Sequence, residues 1–178
     1  MATSLPQHWL WRAEPLTPGP SVICDLDGVL ADASGRQHFL AENPPNWHAF
    51  FDAAGHDPLI GSALDVLGSV DESLQVILLT GRPVRIRPAT LEWLTRHNIR
   101  WDLLIMRESG SYIKAREFKK NTVKELRQFG FDLQMAYEDD EQICVMYEAE
   151  GLACTYVHSG YYEQRLARFP ENQEAAGE

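Results

Sequence analysis

The sequence predicts an α/β fold in three layers, α/β/α, around a mostly parallel five-stranded sheet with a small cap inserted near its start. Two observations carry this. Short apolar runs recur at 22–26, 76–79, 103–105, 134–137 and 154–157, and helical spacings fall between most of them. Alternation of that kind builds a sheet covered on both faces, with its ligand site beyond the carboxyl ends of the strands. The polar residues gather there, as Asp25 after the first run, Thr80-Gly81-Arg82 after the second and Glu138-Asp139 after the fourth.

The elements follow in order. Pro6, Pro15, Pro18 and Pro20 rule out a continuous helix over residues 1–20, which predicts an irregular arm that Trp9 and Trp11 staple to the core. The first strand, 22–26, is followed by a stretch at 32–61 that breaks the alternation. It holds Pro44-Pro45, Trp47, Phe50 and Phe51, and reads as the cap. The Trp and Phe spacing fits helix packing better than base stacking, though both readings remain. A helix at 63–70 precedes the second strand, and one at 89–97, with Leu91 and Leu94 at i and i+3, precedes the third. Val123 with Leu126 marks another helix, and Ile143, Met146 and Tyr147 mark the last. The domain then runs over 21–170, and 171–178 reads as a frayed acidic tail.

At 178 residues and 44% hydrophobic, the chain suits one well-buried domain. It has no run of about 18 apolar residues and no basic-plus-apolar leader, so the expectation is a cytoplasmic protein without a membrane partner. Cys24, Cys144 and Cys154 are odd in number and lack Cys-x-x-Cys spacing, which predicts small reduced core residues. Sixteen basic against 26 acidic residues give a net charge of −10. That disfavours broad adhesion to nucleic acid but leaves room for a local basic groove, for which Arg82, Arg85, Arg87, Lys114, Arg116, Lys119 and Lys120 are available.

In extended backbone, Asp25 and Asp27 face one side, and Gly28 turns the chain sharply behind them. The pair suits a nucleophile beside a proton donor; taken alone, it also suits a hairpin with a polar turn. Thr80-Gly81-Arg82 offers a hydroxyl, an open amide and a guanidinium to a phosphate, or else simply ends a strand. Glu138-Asp139-Asp140 is either an acidic helix start or a hard-oxygen set for Mg²⁺ opposite Asp25. Lys119 precedes Val123 and Leu126 by four and seven residues, so it opens a helix with its side chain free to point at the strand ends or into solvent.

Taken in order, a strand-ending Asp-x-Asp, a strand-ending Thr-Gly-Arg, a helix-opening Lys and a strand-ending Glu-Asp resemble the haloacid dehalogenase superfamily across residues 22–162, which implies a Rossmann-like sheet. Arg36 stands eleven residues after Asp25, and Arg107-Glu108-x-Gly110 stands ahead of Lys119. These spacings, with Gln142-Ile143 and the closing Val157-x-Ser159-Gly160, are similar to the 3′-phosphatase domain of phage-type polynucleotide kinases. Two positions depart from that pattern: Ala115 stands where an aspartate is expected, and Glu138 is the first acid of the metal pair. No Gly-x-x-x-x-Gly-Lys-Ser/Thr segment occurs, so nothing resembles the kinase half.

The resemblance implies a phosphomonoesterase that uses Mg²⁺ and an aspartyl-phosphate. Asp25 would be the nucleophile and Asp27 the general acid, with a carboxyl raised by burial and nearby charge. Thr80 would hold a non-bridging oxygen and Lys119 would balance charge. Asp25, Asp27, Glu138 and Asp139 would form the metal site, while Arg36, Gly81 and Arg82 would bind substrate. The implied partner is a phosphorylated substrate, a polynucleotide or nucleotide 3′ end. The rivals are a small-metabolite or mononucleotide phosphatase, a phosphotransferase, and a catalytically idle binding protein on the same fold.

Overall fold

The computed structural model describes residues 6–13, 17–111 and 113–162, so the tail at 171–178 lies outside the described residues. Among the described residues six strands are present: β1 (Trp9–Trp11), β2 (Pro20–Cys24), β3 (Gln75–Pro83), β4 (Leu103–Arg107), β5 (Asp132–Glu138) and β6 (Cys154–Tyr156). They form one sheet in the order β1-β4-β3-β2-β5-β6, parallel throughout except for β1 against β4.

Five of these strands fall on the five apolar runs. The sixth, β1, lies where the prolines predict an irregular arm, and corrects the strand number from five to six. The proline-free stretch from Gln7 to Glu14 has room for three residues of pairing, and Trp9 supplies the reason to dock. Its ring is buried 5.1 Å from that of Phe129, while Trp11 stacks on Phe131 at 5.9 Å.

The central strands read as unbroken apolar runs because each feeds two cores. Val22, Cys24, Val76, Leu78, Leu104 and Met106 face one, and Ile23, Ile77, Leu79, Leu103 and Ile105 face the other. Burial of each large aliphatic side chain contributes about 1.5–3 kcal/mol, which fixes the register of β2 from both faces.

Among the described residues five α-helices cover the sheet: α1 (Trp47–Asp52), α2 (Ala63–Gly68), α3 (Arg87–Arg96), α4 (Ala115–Gln128) and α5 (Glu141–Ala149). The first three pack on the first core through residues such as Phe50, Leu67 and Trp93. The last two pack on the second through Phe118, Val123, Leu126, Ile143 and Tyr147. The stretch between β2 and α2 holds 3-10 helices Ala33–Ala41 and Ala53–His56 on either side of α1. Its two ends are stitched together by Asp32 N–H to Pro58 O and Ile60 N–H to Leu30 O, each 2.8 Å, so it leaves and rejoins the body at one place. Among the described residues, no helix is long and apolar enough to cross a membrane.

Candidate active site

β2 lies between β3 and β5, where the strand order divides, and the side chains singled out by sequence converge at this end. Asp25 extends the β2 ladder by one bond, its N–H donating to Tyr137 O at 3.1 Å. One carboxylate oxygen accepts from Leu26 N–H at 2.7 Å, and the other meets Lys119 Nζ at 2.8 Å. Lys119 is the fifth residue of α4 rather than its first, and only 2% of its side chain is exposed. Its ammonium also meets Glu138 Oε2 at 2.6 Å, at the end of β5. Burial alone would depress this lysine, but Asp25 and Glu138 outweigh burial and hold it charged well above the usual lysine range.

Asp25, Glu138 and Asp139 each bring a carboxylate oxygen within 4.8 Å of the others, and the ammonium bridges the first two. Both oxygens of Asp139 are buried and lack a hydrogen-bond partner. Burial, then the negative charge of Asp25, pushes its carboxyl up to about 7 against smaller opposing pulls from Ser159 and Lys119. Glu138 is raised as well, by burial and by Asp25 and Asp139, although Lys119 opposes the shift. Orphaned hard oxygens with excess negative charge fit a divalent ion such as Mg²⁺. Gly28 is shaped by the same carboxylate. Its φ is +86°, and a Cβ there would lie 1.9 Å from an Asp139 oxygen, so only glycine leaves Asp139 its place.

Asp27 stands outside this cluster. One of its oxygens accepts from Arg36 and from Arg82, each at 2.6 Å, and both guanidinia continue to Asp57, at 2.7 Å and 3.2 Å. Burial favours the protonated acid, but the charges and hydrogen bonds of the two arginines win and lower the Asp27 carboxyl to about 2. Burial and the charge of Asp25 therefore do not raise Asp27 in the free protein, which leaves the charge of the substrate phosphate as the expected cause of a raised acid. Arg36 and Arg82 are both buried and paired with carboxylates, Arg36 also lying 4.1 Å over the Phe50 ring, while Nη1 of Arg82 is buried without a hydrogen-bond partner.

A cavity of about 80 Å³ opens onto Asp25, Asp27, Lys119, Glu138, Asp139 and Gly81. Thr80, Arg36 and Arg82 are not among its lining residues; Thr80 is fully buried, and its hydroxyl oxygen accepts from Arg82 N–H at 3.2 Å behind the wall. Three further residues shape the site, and of these the sequence singles out Ala115 alone. Asp57 neutralises the arginine pair. Ala115, where the resemblance implies an aspartate, lines the cavity. Tyr161 lines it too, its hydroxyl accepting from Ala33 N–H at 2.7 Å and donating to Asp32 at 2.9 Å, which ties the last described segment to the start of the insertion.

A family model for the phosphatase domain of the polynucleotide kinase PNKP matches residues 19–162. The chain belongs to this family of haloacid dehalogenase-type phosphatases. Among solved structures, this phosphatase is similar to a chain of the Pnkp1/Rnl/Hen1 complex, with 28% identity, a TM-score of 0.64, and coverage of 84% of this chain and 48% of that one. A second structure, of the Pnkp1/Rnl/Hen1 RNA repair complex, gives 28% identity, a TM-score of 0.65, and coverage of 84% and 45%. The phosphatase therefore spans about half the length of these relatives. A haloacid dehalogenase-like phosphatase from Mesorhizobium loti shares the fold, with 14% identity, a TM-score of 0.54, and coverage of 96% and 94%. No individually curated protein is significantly similar in sequence.

Proposed function

We propose that this phosphatase removes 3′-phosphates from polynucleotides or nucleotides, with Mg²⁺ and a phosphoaspartate on Asp25. The observation that carries the reading is Asp25 itself. It stands at the end of the central strand, lines the cavity, and has one oxygen held by Lys119, beside an Asp139 carboxylate that lacks a partner.

An Asp25 oxygen attacks phosphorus in line, a P–O bond forms, and the bond to the 3′ oxygen breaks. Asp27 gives its proton to the leaving oxygen. A water then attacks the phosphoaspartate, Asp27 takes the water's proton, and Asp25 is released with inorganic phosphate. In the free protein Asp27 is ionised, the form that the second step needs. Negative charge arriving with the substrate opposes the pull of Arg36 and Arg82 and raises Asp27 toward the donor form. Arg36 and Arg82 thus act on substrate through Asp27. Gly81 presents backbone to the phosphate, and Thr80 braces the irregular end of β3 that carries it. Asp25, Glu138 and Asp139, with Asp27 beside them, would hold Mg²⁺, which when bound neutralises charge on the transferring phosphoryl group.

The polymer reading is supported by the family match and by the similarity to a chain from an RNA repair complex. The net charge of −10 favours a mononucleotide as the second reading. Steep loss of activity with rising salt separates the two, because only a strand releases counterions on binding. The chemistry is tested by acid quenching during turnover of a 3′-phosphorylated oligonucleotide, followed by peptide mass spectrometry. A phosphoryl group on the Asp25 peptide is expected in Mg²⁺ and absent in EDTA; a phosphoryl group on another residue contradicts the assignment.

A further inference from the structure

Beyond the metal acids the chain crosses over from β5 through α5 to β6, and β6 lies parallel to β5 with Cys154 opposite Ala136 and Tyr156 opposite Glu138. This return brings the fourth residue of the helix, Cys144, against the first residue of the strand, Cys154. The Cys154 thiol donates to the Cys144 sulfur at 2.8 Å, shorter even than the roughly 3.5–4.0 Å optimum between smaller carbon atoms, and both thiols are free. Cys144 has little else to bind. Glu138 O, 3.9 Å from its sulfur, already accepts from Val157 N–H at 2.8 Å. The two cysteines differ in access: Cys144 is 8% exposed, whereas Cys154 is half-buried between the exposed Ala153 and Thr155 at the edge of the sheet.

From this contact between an accessible sulfur and a buried one, we infer that Cys144 and Cys154 are an oxidation site for hydroperoxides, which closes a reversible disulfide between α5 and β6. Peroxide reaches the pair from the Cys154 side. One sulfur, as the thiolate, takes the distal peroxide oxygen; the O–O bond breaks, and the leaving oxygen departs as water or an alcohol with the proton that the thiol gave up. A sulfenic acid then lies beside a thiol. The second sulfur attacks the first, the S–S bond forms, the S–O bond breaks, and hydroxide leaves as water with the second thiol's proton. Each sulfur gives up one electron and the peroxide takes both. An external dithiol reverses the bridge by exchange at Cys154.

The bridge acts on the edge of the sheet. Among the described residues β6 is three residues long and pairs with β5 alone, and the chain leaves it for Tyr161, which lines the reaction cavity. Linking residues 144 and 154 restricts the unfolded chain and holds this short strand on α5, the helix that starts just past the metal acids. Cys24 is an internal control. It is fully buried in β2, belongs to the opposite core from the one Cys154 packs against, and donates to Asp25 O at 3.3 Å rather than to a sulfur.

To test this, the reduced protein is treated with hydrogen peroxide, its remaining thiols are alkylated, and its peptides are mapped by mass spectrometry. One intrachain 144–154 bridge is expected, with Cys24 alkylated. The melting temperature of the oxidised protein should rise by about 5 °C, and hydrogen exchange over residues 152–157 should slow. Dithiothreitol should reverse both changes, and Cys154→Ser should show neither on peroxide treatment. Should that variant fold poorly, the peptide map of the unaltered protein decides by itself. Three alkylated thiols after peroxide, sulfinic acid at Cys144 or Cys154 without a bridge, a bridge through Cys24 or between two chains, or a 144–154 bridge that lowers the melting temperature would overturn the site. None of these readouts depends on which phosphate ester the phosphatase cleaves.

Discussion

Replacement of Lys119 by Met removes the cation that pairs with two of the three buried carboxylates. Its ammonium is 2.8 Å from Asp25 and 2.6 Å from Glu138, with 2% of the side chain exposed, so solvent cannot take its place. Stripping one partner from a buried ion pair costs about 3–5 kcal/mol. In a chain of this size each kcal/mol shifts the melting temperature by about 2–4 °C, so a fall of about 10 °C is expected at pH 8 in EDTA. The pH dependence has a definite sign. The folded-state pKa of Lys119 is raised, so the lysine stays charged throughout pH 5–8 and does not itself titrate there. Glu138 and Asp139, whose carboxyls burial already raises, take up protons more readily once the ammonium is gone, and their protonation relieves the repulsion. The deficit should therefore shrink as pH falls toward 5, and Mg²⁺ should restore part of it at pH 8. Circular dichroism melts of wild type and variant, with and without Mg²⁺, give all four comparisons. A variant that melts within about 2 °C of wild type at pH 8 in EDTA, or a deficit that grows toward acid, would refute the charge balance described for the site.

Other perturbations probe the same geometry. Asp139 has a folded-state pKa of about 7 against 3.8 for the free acid, so the metal-free fold binds its proton more tightly than the unfolded chain does and loses stability as pH rises from about 4 to 7. The melting shift on adding Mg²⁺ should then be small at pH 5 and largest above pH 7. Gly28→Ala places a methyl 1.9 Å from an Asp139 oxygen and requires a positive φ. It is expected to lower kcat by more than about tenfold and to raise the Mg²⁺ concentration for half-maximal activity. Asp57→Asn leaves two buried guanidinia on Asp27 alone, which should destabilise by about 3 kcal/mol in urea unfolding and slow turnover by holding Asp27 more firmly ionised.

The parts of the site readable in sequence are those tied to strand ends. Apolar runs locate the ends of β2 and β5 to within two residues and so place Asp25 and Glu138 at one edge of the sheet, whereas β3 continues past its run through Thr80, Gly81 and Arg82 to Pro83. Helix phase does the same for Lys119, which shares α4 with Val123 and Leu126 yet points at the acids. What escapes is the choice of partners. Arg36 and Arg82 read as phosphate forks because spacing reveals a guanidinium but not its anion. That anion, Asp57, lies 21 and 25 residues away from them, in a stretch without periodicity. The ionisation of Asp27 follows from the same omission, since a neighbouring carboxylate argues for a raised acid until two arginines are placed on it. Strand β1 is missed for a different reason. Three residues carry too little pattern, and pairing with β4 decides their conformation.

The central claim is that Asp25 drives removal of a 3′-phosphate. Its most direct test is mass spectrometry of a short oligonucleotide phosphorylated at both ends, incubated in Mg²⁺ with the wild-type protein or with Asp25→Asn. Loss of the 3′-phosphate alone, and only with the wild type, is the predicted result. An untouched oligonucleotide, loss from the 5′ end, or equal turnover by Asp25→Asn would contradict it.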